Sequence, residues 1–296
     1  MAGLPNLLGS RRGRMAAFFA LYITEGIPLG FAATAVATQL RRMGVGPAEI
    51  GGFVASFYLP WAFKWVAGPL VDVFRSARFG HKRGWILLMQ VMMVATILLT
   101  MVVELPRQLW LFTAILLVHN CFAAVQDVAI DSLAVSSLKE DERGIANGLM
   151  FAGASLGQAI GGAGVLFVYD WTGFRGSVVL VALAIMAVTA TIVLPMKEAL
   201  AGKLGAATTG LQSATAEMRR FAVESFRSFF GSRAAFSSLF FSLLPAGAMA
   251  LGISLQSALA VEIGMTDDEV ALLSTWSLVV SGTCMVIGGW LSDRLG

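Results

Sequence analysis

The sequence predicts an all-α integral membrane protein, and three observations predict it. Of the 296 residues 57% are hydrophobic and only 13% charged, mean hydropathy is +0.78, and the apolar residues gather into runs long enough to cross a bilayer. A chain this apolar cannot cover itself with polar groups, which excludes a soluble enzyme core, a disordered tail and a secreted disulfide scaffold. The strict alternation of a membrane β-barrel is absent. A net charge of +3 and a pI near 9.1 would suggest nucleic acid in a soluble protein. Here the basic residues sit in loops between apolar runs, so they report topology, and no nucleic-acid partner is expected. Cys121 and Cys284 fall inside apolar runs and read as small buried hydrophobes, neither a disulfide nor a metal pair.

Eight segments meet the length of a span: residues 15–40, 48–73, 85–103, 108–137, 144–169, 177–195, 234–260 and 269–291. The first follows Arg11, Arg12 and Arg14, is too long for a secretory apolar core and carries Glu25 at its middle, so it is an uncleaved helix. The second holds Lys64 and ends at Asp72, and a basic turn through His81, Lys82 and Arg83 leads into the third. The fourth carries His119, Gln126, Asp127 and Asp131. The fifth opens near Asn147 and repeats Gly153, Gly157 and Gly161 with Gln158 among them, the small-residue spacing that lets helix backbones approach. The sixth is plainly apolar. Residues 196–233 are then polar, and 213–230 would place Met218, Phe221, Ala222, Phe226 and Phe229 on one side of a helix. That stretch reads either as an interfacial amphipathic helix or as a solvated linker. The seventh span carries Pro245 with Gly247 and Gly252, answering Pro28 with Gly26 and Gly30 in the first, and broken helices of this kind commonly line a central site. The eighth is opened by Asp267, Asp268 and Glu269, favourable charges for a first turn.

If the N-terminus is cytoplasmic, sixteen of the 21 Lys and Arg fall on that side, while the opposite loops hold Arg41, Arg42, Arg107 and Arg175 and Lys64 lies within a helix. The asymmetry places the N-terminus inside, in the inner (cytoplasmic) membrane. The expected organisation is a six-helix bundle over 1–195, a cytoplasmic linker with an amphipathic helix over 196–233, and the first two helices of a second bundle over 234–296.

An internal repeat supports two halves. Gly68-Pro69-Leu70-Val71-Asp72 closes the second span and Gly289-Trp290-Leu291-Ser292-Asp293 closes the eighth, 221 residues later, each followed by basic residues. The glycine permits close helix crossing. An Asp at a helix C-terminus is unfavourable with the dipole unless a cation or a neighbouring helix N-terminus answers it, so Gly68, Asp72, Lys82, Arg83, Gly289, Asp293 and Arg294 are candidates for a conformational latch, with static pairing to loop arginines as the plainer alternative.

This G-x-L-x-D pattern with its basic turn resembles the loop motif of the major facilitator superfamily. Gly26-Ile27-Pro28-Leu29-Gly30, Phe63-Lys64-Trp65, Gly84-Trp85 and Gln126-Asp127-Val128-Ala129-Ile130-Asp131 with Glu142-Arg143-Gly144 are similar to its muropeptide permease (AmpG-like) and acetyl-CoA transporter branch. Glu25, and Ser132-Leu133 after Asp131, depart from the pattern of that branch. The resemblance implies two six-helix bundles around a central cavity and transport of a bulky polar or anionic solute such as an anhydro-muropeptide. It also implies about four helices more than the eight found, so the chain is expected to be truncated or a fragment.

Ionisable groups at membrane depth are costly and mark function. Glu25 lies ten residues from Met15, Lys64 nine from Val73 and Asp127 ten from Ser137. At 1.5 Å per residue all three are about 15 Å deep and can meet in one layer. A Lys between carboxylates leaves net charge to be settled by a proton, so Glu25, Lys64, Asp127 and Asp131 are the candidates for proton coupling, with a fixed structural ion pair as the alternative. His119 lies on nearly the same face as Asp127 and either extends that relay or simply donates to a backbone carbonyl. Pro28, Gln126, Asn147, Gln158, Pro245 and Gln256 are candidates to line a solute cavity.

The reading is therefore a proton-driven secondary transporter working by alternating access, a monomer whose partners are a small solute, protons and the bilayer, with no catalytic residue, cofactor or metal site. The alternatives are an intramembrane transferase holding Mg²⁺ for a lipid diphosphate on Asp127 and Asp131, and an inactive remnant of a transporter. The first would want a second acidic cluster facing the first, and the only other dense one, Asp267 to Glu269, falls on the opposite side of the membrane.

Overall fold

The computed structural model describes residues 6–73, 80–198 and 259–295, with scattered residues between 216 and 237. The first span runs Arg11–Arg42, 32 residues, and starts where the Ser10 hydroxyl accepts the Gly13 N–H at 3.1 Å, the N-cap bond that satisfies an otherwise orphan donor. A π-helical turn, Phe31–Val36, widens it in its outer half.

The second span departs from the continuous helix expected over 48–73. Pro47–Ala62 is helical with Pro47 in the first turn, then a 3₁₀ turn over Lys64–Val66 interrupts it, and Ala67–Val73 resumes. Two prolines nine residues apart explain the break: neither Pro60 nor Pro69 has an N–H for the helical ladder. Tighter bonds take over, Phe63 N–H to Pro60 O at 3.1 Å and Val66 N–H to Phe63 O at 3.0 Å. Lys64 therefore sits in the break and not on a regular helical face.

The third span is Lys82–Val102 and the fourth Leu109–Ser137. Spans five and six form one helical stretch, Glu140–Val193, whose 54 residues are enough for two crossings. The expected gap between them shrinks to a kink at Gly173, where φ 59° and ψ −172° leave the helical region at a residue without a Cβ. The eighth span is Asp267–Leu295, longer at both ends than the apolar run alone suggests. Pro245, Gly247, Gly252 and Gln256 of the seventh lie outside the described residues, as do Met218, Phe221, Ala222 and Phe229 of the amphipathic segment. The described residues of 216–230 are helical and exposed, with an Arg220–Glu224 ion pair at 2.8 Å one turn apart.

Two apolar clusters fill the bundle. One holds Phe31, Phe53, Phe57 and Phe112; the other, toward the end carrying the two G-x-L-x-D turns, holds Phe18, Leu21, Ile86 and Leu133. Glu25 falls between the clusters on the first span, after Tyr22 and before Ile27, and Asp127 falls between them on the fourth, after Ala123 and before Ala129. The ionisable layer is thus sandwiched by hydrophobic packing. Many large apolar side chains face outward, as helices in contact with lipid chains require. Cys121 and Cys284 are among these outward faces and are exposed, contrary to the burial expected of them; an apolar run in a membrane helix has a lipid side as well as a core side.

Glycine seams hold the first, fifth and eighth spans together. A methyl at Gly26 or Gly30 would land on the backbone of Ala154 or Gln158, and one at Gly153, Gly157 or Gly161 on the carbonyl oxygen of Phe19, Ile23 or Ile27. The backbones touch, which is what the fifth-span repeat predicts. At the G-x-L-x-D end, Gly144 and Gly148 meet Gly289 and Met285 of the eighth span in the same way.

Candidate functional site

Three spans contribute the charged layer. The break in the second span carries Lys64 to the fourth, where its Nζ lies 2.6 Å from Asp127 Oδ2 and 3.8 Å from Asp131 Oδ2. Asp127 and Asp131 are one helical turn apart on one face. Tyr22 of the first span closes the arrangement, its hydroxyl 2.7 Å from Asp131 Oδ1 and 3.2 Å from Asp127 Oδ1, so its one proton can be donated to either. Asp127 is buried, while the Asp131 side chain is 45% exposed and the Lys64 side chain 40%. The Lys64 ammonium also faces the Trp61 ring at 5.8 Å.

These groups line one cavity of about 450 Å³, together with Glu25, Tyr58, Asn147, Phe151 and Gln158. Glu25 is 9% exposed, lies within hydrogen-bonding reach of the Asp127 carboxyl and electrostatic reach of Asp131 and Lys64, and its Oε1 has no hydrogen-bond partner among the described residues. The structure therefore brings Glu25, Lys64, Asp127 and Asp131 to one place, with Asn147 and Gln158 on the same walls.

Other candidates lie elsewhere. Gln126 is wholly buried and its amide donates to Thr24 Oγ1 at 3.0 Å, a bond between the fourth and first spans that points it away from the cavity. One residue along a helix is about 100° of rotation, so Gln126 and Asp127 cannot share a face. Pro28 is buried in the first span and is not part of the lining, and Pro245 and Gln256 are outside the described residues. His119 is fully buried and turned to the third span, its Nδ1 3.0 Å from both the Met93 carbonyl and Thr96 Oγ1.

Both Asp residues of the repeated turn are answered, each differently. Asp72 pairs with Lys82, and Asp293 accepts the Gly144 N–H at 2.7 Å and the Ile145 N–H at 2.6 Å, sitting on the positive end of the fifth-span dipole. Arg83 donates to the last carbonyls of the sixth span, Val193 at 2.9 Å and Leu194 at 2.6 Å, and Glu198 accepts the Lys82 N–H at 3.0 Å. Gly68 lies in the resumed helix of the second span, and Arg294 stacks over Trp290 at 4.3 Å. Beside this end Arg14 holds Glu142 by three hydrogen bonds of 2.6 to 3.0 Å.

Two features escaped the sequence reading. Tyr22 is the first; its place three residues before Glu25, on the same helix face, was the available signal. The second is at the opposite end of the bundle, where Arg42 meets Asp267 at 2.6 Å, Gln39 donates to Asp267 at 2.9 Å and Arg41 meets Glu262 at 2.8 Å. Asp267 is thus more than a first-turn charge, and nothing local in sequence announces partners more than 220 positions away.

The sequence profile of the Major Facilitator Superfamily matches residues 15–296. "Putative transporter AmpG 4" of Rickettsia conorii is 27% identical over 295 residues, 96% of this chain and 68% of that protein. Its Rickettsia felis namesake is 29% identical over 186 residues, 60% and 44% of the two chains. The "Anhydromuropeptide permease" of Escherichia coli K12 is 25% identical over 286 residues, 95% of this chain and 56% of that one. The chain thus spans between 44 and 68% of the length of these relatives.

Proposed function

The chain belongs to the major facilitator superfamily, and from that premise we propose that it is a secondary active transporter, not an enzyme, which moves a bulky polar solute across the inner membrane by alternating access and couples the movement to protons. The observation that carries this reading is the Lys64–Asp127 ion pair, joined by Tyr22 and Asp131, on the wall of a cavity of about 450 Å³ at a depth where charge is costly to keep. Three carboxyl groups face one ammonium there, so the charge of the layer is decided by how many carboxyls hold a proton. Asp131, the most exposed of them, is placed to exchange protons with water and pass them by way of the Tyr22 hydroxyl to Asp127. A proton on Asp127 weakens its hold on Lys64 and frees the broken second span to shift.

The two ends of the bundle supply the alternation. Opening at one end parts Arg41 from Glu262 and Arg42 from Asp267, and opening at the other withdraws Asp293 from the fifth-span amides. With sixteen of 21 basic residues on the G-x-L-x-D side, that side faces the cytoplasm and the N-terminus lies inside. A monomer suffices, since solute and protons meet within one chain. The printed name of the Escherichia coli relative brings an anhydro-muropeptide forward as the solute.

The test is uptake of labelled anhydro-muropeptide into vesicles carrying the intact protein, driven by an imposed pH gradient, with and without Asp127→Asn. Gradient-driven uptake that Asp127→Asn removes supports both solute and coupling. Undiminished uptake by Asp127→Asn refutes the coupling role, and no uptake by the unmodified protein refutes the solute.

A further inference from the structure

The balance of charge around the cavity narrows what the solute carries. Among the described residues Lys64 is the one cation of the lining, and it is already committed, 2.6 Å from Asp127 and 3.8 Å from Asp131. Tyr22 supplies the same two carboxyls with a hydrogen bond. Glu25 receives neither the ammonium nor the hydroxyl: it lines the cavity, is nine-tenths buried and reaches only the Asp127 carboxyl, and its Oε1 finds no donor among the described residues. A buried carboxyl oxygen left without a partner is costly, so a site that keeps one is a site that something with a donor completes. Tyr58, Trp61 and Phe151 line the same cavity, and aromatic side chains there favour a cation. An anionic group entering here would meet three carboxyls and no uncommitted ammonium.

We propose that the cavity recognises its solute through a protonated amino group, seated on the Glu25 carboxylate against the aromatic wall, with the polar remainder of the solute bonded by the amides of Asn147 and Gln158. This rests on the transport reading and assigns the chemical class that the carrier accepts: amine-bearing solutes, discriminated from their N-acylated counterparts by charge. Glu25 is then a specificity residue, and the Lys64–Asp127–Asp131 group is left to the proton.

Two pairs of probes test this on the intact protein, with binding read from the shift in thermal unfolding over a titration. One pair is an anhydro-muropeptide with a free amino group on its peptide and the same compound N-acetylated; the other is phenethylamine and N-acetylphenethylamine. The unmodified protein should bind the amine of a pair at least about tenfold tighter than the amide, and Glu25→Gln should reduce that preference to about twofold or less. Glu25→Asp, which keeps the charge on a shorter stem, should retain part of it. Because the preference is first read on the unmodified protein, it does not depend on how well a variant folds. Equal binding of both muropeptides overturns the amine site while leaving that solute standing. Silence from the muropeptides with a Glu25-dependent preference for phenethylamine supports the amine site and overturns the solute. A preference that survives Glu25→Gln overturns its placement at Glu25, and binding of no amine probe overturns it altogether.

Discussion

Replacing Asp293 with alanine removes the acceptor of the two amides that open the fifth span. Its carboxylate takes the Gly144 N–H at 2.7 Å and the Ile145 N–H at 2.6 Å from the end of a different helix, the eighth. Loss of such a cap costs about 1 kcal/mol and loss of a charge at a helix N-terminus about 0.3 to 1 kcal/mol, taking surface values because the site is exposed to solvent screening. The seam between spans five and eight is then weaker by about 1.3 to 2 kcal/mol, which is roughly a 10- to 30-fold rise in its opening equilibrium. Hydrogen exchange by mass spectrometry on the intact protein in nanodiscs reads this directly, in the peptide that covers Gly144 and Ile145. Exchange there should accelerate by about that factor, while peptides of the third span stay unchanged. Asp293→Asn keeps one acceptor and loses the charge, so it should fall between. High salt should narrow the gap between the unmodified protein and the variant, because part of the bond is electrostatic and exposed. Unaltered exchange at Gly144 and Ile145 in Asp293→Ala would refute the latch.

Further outcomes follow from the same geometry. Asp127→Asn leaves Lys64 with only the more distant carboxyls of Asp131 and Glu25 and should lower unfolding free energy by about 2 to 3 kcal/mol, discounted for a broken buried pair because 40% of the Lys64 side chain is exposed; adding Lys64→Ala should recover protein yield, measured by fluorescence size-exclusion, without recovering pH-driven uptake. Glu142 is held by Arg14 through three hydrogen bonds, so Glu142→Gln, which removes the charge and weakens that pairing, should cost about 1.5 to 3 kcal/mol, seen as a lower midpoint in thermal unfolding of the purified protein. Gly161→Val places a branched side chain on the Ile27 carbonyl oxygen and should cost at least about 3 kcal/mol, seen as loss of folded protein on size-exclusion, whereas Gly51→Val, where no atom lies within 4 Å of the added Cβ, should leave yield nearly unchanged.

The spans were legible because an apolar run of about twenty residues admits few other structures in a bilayer. The meeting of Lys64 with Asp127 was legible as well: counting rise per residue from the helix ends puts both at one depth, and unpaired charge at that depth is too costly to leave apart. Direction round a helix was harder. Gln126 went to the wrong side because it adjoins Asp127 in sequence, yet adjacent helical residues diverge by about 100°. Tyr22 went unnoticed because a tyrosine in an apolar run reads as packing until its hydroxyl is seen beside two carboxyls. The break at Lys64 needed the joint effect of Pro60 and Pro69, neither of which alone ends a membrane helix. Asp267 met Gln39 and Arg42 through tertiary structure alone.

The contacts of the broken second span and of the glycine seam have a shared mechanical meaning. Spans one and five touch backbone to backbone over successive turns, so they cannot slide without steric clash or separate without losing close packing, and Glu25 on one keeps its distance from Gln158 on the other. Span two, across the cavity, is cut by a turn that carries Lys64 and lacks the regular ladder. The cavity is therefore a caliper with one fixed jaw and one jointed jaw. Whatever it measures is held to a standard on the Glu25 side and gripped with give on the Trp61 side, and the Lys64–Asp127 bond sits at the joint, where tightening it sets how wide the jaws stand.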